Sequence, residues 1–160
     1  PSDMARVRVI FGLEVPDHVH LLTEGDPSEA WNFKSGFDLR QPWAQRNLYH
    51  FCKNAPADLR IAHSWCWMKD FRDYVHSQGM RFPVHAVQFQ EVATNYVESG
   101  GQPTGGSRYV WLVNSEVKAM YFSFHIAVSK HSRPGAALEH KARWDDYLEK
   151  YNAAAFPSAR

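Results

Sequence analysis

The sequence has little of what marks specialised chains. Two cysteines in 160 residues exclude a miniprotein stapled by many bridges, and nine glycines and nine prolines are too few for a collagen-like or low-complexity chain. No apolar run approaches the roughly 18 residues that a membrane-crossing helix requires. Charge of one sign is missing as well. Lys and Arg total 18 against 17 Asp and Glu, divided 9 to 10 over residues 1–80 and 9 to 7 over residues 81–160. No basic face or run of the kind that neutralises phosphates is visible, so nucleic acid is not an expected partner.

Catalytic signatures are missing too. Gly100-Gly101-Gln102-Pro103-Thr104-Gly105-Gly106-Ser107 has the outline of a phosphate loop, but Gly106 stands where the phosphate-binding lysine belongs, and the segment follows a helix instead of opening one. It reads as a helix-to-strand connector. There is no Gly-x-Ser-x-Gly elbow, and Ser64, Ser107 and Ser123 have no neighbours that would mark them as nucleophiles. Nine histidines are present, with His18 and His20 in one loop and His125 and His131 flanking the end of a strand, but neither H-E-x-x-H nor a Cys/His cluster occurs. Asp145 and Asp146 are adjacent on a helix and diverge, so they belong to a solvated face. No enzyme activity, metal or cofactor is expected.

What remains is a globular composition: 44% hydrophobic, 14% aromatic and 22% charged. Four segments have helical period. Ala44, Leu48, Phe51, Cys52 and Ala55 follow Pro42, a residue suited to a first turn. Trp67, Phe71, Tyr74 and Val75 follow Ser64 as a candidate N-cap and end before Gly79. Phe89, Val92, Ala93, Tyr96 and Val97 close at Gly100 and Gly101. Trp144, Tyr147, Leu148 and Tyr151 lie on a helix opening near Pro134, with Glu139/Arg143, Lys141/Asp145 and Asp146/Lys150 spaced for ion pairs.

Three segments have period two. They are residues 6–11, 108–113 and 117–128, the last two joined by the polar link Asn114-Ser115-Glu116. In the second, Tyr109, Trp111 and Val113 are the apolar phase, which is expected to bring Trp111 near Met120 or Phe122. Residues 12–41 show neither period and form a long loop. The order of strand, helices, two strands and helix predicts an α+β domain, most simply a ferredoxin-like split βαβ sandwich lacking its last strand, with residues 6–11, 108–113 and 117–128 in one sheet. A missing strand leaves an open edge, and Pro1 with no initiator methionine or leader suggests an excised domain. By this reading residues 1–160 are a single domain whose final strand lies outside the chain.

Cys52 at the end of the first helix and Cys66 at the start of the second are close enough to bridge after a turn. Spacing alone leaves a disulfide and two buried thiols both open.

A resemblance adds to this. Phe51-Cys52, the run Cys66-Trp67-Met68-Lys69-Asp70-Phe71-Arg72-Asp73-Tyr74-Val75, and Phe82-Pro83 resemble extracellular domains of the Dispatched group. Dispatched belongs to the Patched-related resistance-nodulation-division (sterol-sensing) family of membrane proteins. Arg6 to Leu13 looks like the first strand of such a domain. Phe37-Asp38-Leu39 with Pro42 to Cys52 looks like its approach to the first helix, and Trp144 through Asn152 to Pro157 like its closing helix and exit. The similarity covers most of the chain, but residues 14–31 and 100–106 have no counterpart.

The resemblance implies a porter-type subdomain, the second extracellular domain of an RND-type transporter, on the extracellular or lumenal face of a plasma, ciliary or internal membrane. Its partners would be the companion extracellular domain and the transmembrane helices of the parent protein, with a sterol, another lipid or a lipid-modified protein as ligand in the cleft between domains. An outward-facing domain also implies that Cys52 and Cys66 are paired. Trp31 and Trp43, outside the apolar stripes, are the candidate ligand or partner contacts. The competing expectation is a non-catalytic structural or protein-interaction module that binds through a sheet edge or residues 14–41.

Overall fold

The computed structural model describes residues 3–14, 32–100 and 109–155, the last two of them by backbone alone. Its elements are β1 (Met4–Phe11), α1 (Pro42–Lys53), a turn of 3₁₀ helix (Ala57–Leu59), β2 (Ile61–Trp65), α2 (Trp67–Ser77), α3 (Ala86–Glu98), β3 (Val110–Val113), β4 (Glu116–Ser129) and α4 (Pro134–Ala155). The class is α+β. All three expected strands share one sheet, and all four expected helices form.

β4 is the centre of the sheet. β1 runs antiparallel along one side of it, while β2 and β3 share the other side, β3 opposite residues 116–120 and β2 opposite residues 123–126. Every pairing is antiparallel, so β1 and β2, which lie on either side of β4, run parallel to each other. β2 is the strand absent from the expected order of elements: the chain turns back into the sheet between α1 and α2.

Local chemistry accounts for the element ends. Pro42 opens α1. Cys66, not Ser64, caps α2, because Ser64 is drawn into β2 opposite Phe124. Gly79 ends α2 with φ of 72°, and the N–H groups of Gly79 and Met80 donate to the carbonyls of His76 and Val75, the bond pattern of a left-handed glycine stop. Asn114 and Ser115 both have positive φ in the hairpin between β3 and β4, the conformation a two-residue turn requires. The long loop is tied at its base by a Leu13–Phe33 bridge, and Gly12 is required there, since a Cβ would lie 2.4 Å from the Lys118 carbonyl oxygen. All three expected ion pairs form on α4.

The helices cover one face of the sheet. Met120, Phe122, Phe124 and Ile126 of β4 point into the core with Val9 of β1. Phe51 of α1 stacks on Phe122 and Tyr147, Trp144 of α4 lies on Phe124, and the Trp67 indole N–H donates to the Met120 sulfur. Phe71, Phe89 and Tyr96 extend this aromatic core between α2 and α3. Burial pushes the Tyr96 phenol well up, so it stays neutral.

One polar group is built into the core. Gln45 is fully buried on α1; its amide N–H donates to the Val84 carbonyl at 3.0 Å and its carbonyl accepts from the Val84 N–H at 2.8 Å. It stands in for a strand neighbour to the segment leading into α3. Gln45→Ala leaves both backbone groups of Val84 buried and unpaired, and a loss of about 2–3 kcal/mol is expected in a denaturant melt. A change below about 0.5 kcal/mol would mean that Val84 finds water instead.

Candidate functional site on the uncovered sheet face

The second face of the sheet has no helix over it among the described residues. Its composition follows from strand alternation, because residues neighbouring the core positions must point outward. The register places them in rows. Arg6, His125 and His63 form one row, Arg8, Ser123 and Trp65 the next, and Ile10 with Tyr121 a third, beyond which Trp111 stands opposite Ala119.

The side chains interlock. The Trp65 and His125 rings meet edge to face at 4.7 Å, and Tyr121 lies against both Tyr109 and Trp111, at 5.0 and 5.6 Å between ring centres. The Arg8 guanidinium lies 5.8 Å from the centre of the Tyr121 ring. Arg6 Nε donates to His125 Nε2 at 3.1 Å, which needs that nitrogen unprotonated. Partial desolvation and then the Arg6 charge hold the His125 imidazole below its ordinary value, consistent with that arrangement. Ala119 and Ser123, the small residues of these rows, are buried beneath their large neighbours.

Three of the eight large apolar side chains exposed among the described residues, Ile10, Trp65 and Trp111, lie in these rows, so they form a patch and not a scatter. The same rows carry Arg6 and Arg8 and hold no carboxylate. Such a surface offers flat rings and fixed cationic donors, which suits an amphipathic ligand with an apolar body and a polar or anionic head.

The residues singled out in the sequence are placed elsewhere. Trp43 stands in the first turn of α1, 42% exposed, beside a small cavity of about 60 Å³ that it lines with Phe11, Phe37, Leu39 and Tyr151. That cavity is too small for a sterol or an acyl chain. Trp31, His18 and His20 lie outside the described residues, as does the glycine run beyond Gly100. Trp111 does not approach Met120 or Phe122. The core phase of β3 is Val110, opposite Met120, so the indole turns outward onto Tyr121. Trp65 and Trp111 are the indoles that sequence reasoning missed. The available signal was the phase of β4, since Met120, Phe122 and Phe124 had to face inward and any partner of Ala119 or Ser123 outward.

Among the described residues no three His, Cys, Asp or Glu side chains are grouped to hold a metal. His125 faces Arg6, while His131 lies 3.7 Å from Asp3. Asp145 and Asp146 pair with Lys141 and Lys150. No helix among the described residues is long and apolar enough to cross a membrane.

Cys52 and Cys66 are bonded, with Cα atoms 6.2 Å apart, and both are buried. Bridges of this kind persist in oxidising compartments, so the pairing indicates an extracellular-like environment. Compared with known proteins, the chain matches no family model, no curated protein and no solved structure. The functional reading therefore rests on the disulfide, the uncovered face and the residue pattern.

Proposed function

We propose that this chain is a non-catalytic binding domain on the extracellular or lumenal side of a membrane, and that the uncovered sheet face is its ligand surface. The observation that carries the reading is the one-sided packing: four helices on one face, and on the other a patch of exposed indole, phenol and arginine. A face left bare only for solvent has no use for two exposed tryptophans.

The Dispatched-like pattern at Phe51-Cys52 and Cys66 to Val75 supports placing the domain in an RND-type transporter. There it forms one wall of a cleft against a companion extracellular domain, through which a sterol, another lipid or a lipid-modified protein is exported or released. The chemistry fits the role: rings for an apolar body, Arg6 and Arg8 for its polar head. Transport coupling would belong to the membrane helices of the parent protein. The alternative, a protein-interaction module, would use the same exposed rings as anchors on a partner protein.

A fluorescent sterol titrated into the domain tests the reading. Binding to the unaltered protein is expected, with Trp65→Ala/Trp111→Ala weakening it about tenfold or more while the thermal midpoint stays within a few degrees, because both indoles are partly exposed and lie outside the buried core. Equal sterol binding by the two proteins would overturn the assignment of the face. Loss of partner-protein binding with no sterol binding by either would favour the interaction module.

A further inference from the structure

We propose that the free edge of β1 is a docking groove for an extended peptide strand in which apolar and acidic residues alternate. β1 is paired with β4 on one side only among the described residues. Alternate N–H and C=O groups along its other side therefore point outward, the template that an added strand completes.

The space for that strand is present. Two open cavities, of about 430 and 380 Å³, lie end to end along this edge and share Arg8, Val9 and Leu148. One runs from Arg8 to Leu13; the other runs from Ala5 to Val9 and is closed on the helix side by Ala137 and Trp144 of α4. Ala5 and Val7 belong to the inward phase of β1 yet are only partly buried, as is Leu148 above them. The wall also holds polar atoms with nothing to bond. Trp144 is 4% exposed, and its indole N–H and the Nδ1 of His140, one turn earlier, are buried with no hydrogen-bond partner. A strand entering the groove brings backbone and side-chain polar groups to that wall.

Alternation and charge define the occupant. Its inward side chains would meet Ala5, Val7, Val9 and Trp144, so they must be apolar. Its outward side chains would stand beside Arg6 and Arg8, where opposite charge attracts and like charge repels. The nearest carboxylate on α4, Asp145, is already paired with Lys141. A second copy of β1 is disfavoured, because it would set arginine against arginine. An acidic, alternating strand from a partner protein satisfies both faces at once.

The test uses two synthetic peptides as long as β1, one alternating valine and glutamate and the other valine and lysine, with amide hydrogen exchange read by NMR on the intact chain. The glutamate peptide is expected to protect the alternate amides of β1 that point away from β4, and the lysine peptide to protect none. Arg6→Glu/Arg8→Glu should weaken the glutamate peptide about tenfold or more and admit the lysine peptide, the size expected when two cross-strand pairs become repulsive. Arg6→Gln/Arg8→Gln, which adds no repulsion, should fall between and guards against a fold change in the charge-reversed protein. No protection of β1 by the glutamate peptide, equal binding of both peptides, or an unchanged affinity in the charge-reversed variant would overturn the proposal. Protection confined to strands bearing Trp65 and Trp111 would instead assign peptide binding to the sheet face.

Discussion

Cys52→Ala/Cys66→Ala is expected to lower stability by about 3 kcal/mol and the thermal midpoint by about 6–12 °C. The cysteines are separated by 14 positions and join the last turn of α1 to the residue that caps α2, across the excursion through β2. The bridge acts mainly on the unfolded chain, which otherwise regains the freedom of that loop. It also holds β2 at the sheet, since Trp65 immediately precedes the bridged Cys66. Both sulfurs are buried, so a mild reductant should act on the folded protein slowly and on the unfolded protein at once. The measurement is a pair of thermal melts with a thiol count on unfolded, unreduced protein. A midpoint unchanged within about 1 °C, or two free thiols in protein made under oxidising conditions, would contradict the role given to the bridge.

Phe51→Ala should cost about 4 kcal/mol, the largest single loss expected for a ring replacement in this chain. Phe51 is 1% exposed and its ring contacts Phe11 of β1, Phe122 and Phe124 of β4, and Tyr147 and Tyr151 of α4. Its carbonyl also accepts from the Tyr147 hydroxyl at 2.9 Å. One side chain therefore joins the first helix, the last helix and two strands. The variant should unfold in a single transition at lower denaturant, with helix and sheet lost together. A loss under about 1 kcal/mol would mean that α1 and α4 do not share this core.

The contrast between core and face explains which parts of the fold were legible. Helical stripes such as Ala44-Leu48-Phe51-Cys52 and Phe89-Val92-Ala93-Tyr96 became the buried faces of α1 and α3, because burial against a shared core demands that spacing. The long alternation of β4 was equally plain, since its apolar phase, Met120 to Ile126, meets helices on one side. β2 was illegible for the opposite reason. It is five residues long, an edge strand, and carries Ala62, His63 and Ser64 in an exposed stretch that shows no apolar alternation. With β2 hidden, the sheet lacks a strand between α1 and α2 and Ser64 looks like a helix cap.

The face was hidden by ambiguity of phase. β3 is apolar on both sides, so the pattern favours Tyr109-Trp111-Val113 as the core phase although Val110 is the residue that meets Met120, and only pairing with β4 shows it. Trp65 was concealed with the strand that carries it. Trp43 is 42% exposed, but exposure alone does not make a site. It lies at the start of α1 beside a small cavity, apart from the rings and arginines assembled on the sheet.

The most direct test of the ligand surface is an NMR titration of the indole N–H signals with a soluble sterol probe. Each tryptophan reports its own position, which gives a map of contact in one experiment. The signals of Trp65 and Trp111 should move together with probe concentration, while those of the buried Trp67 and Trp144 stay in place. Movement confined to Trp31 or Trp43, or no movement of Trp65 and Trp111 at saturating probe, would contradict the assignment of the uncovered sheet face.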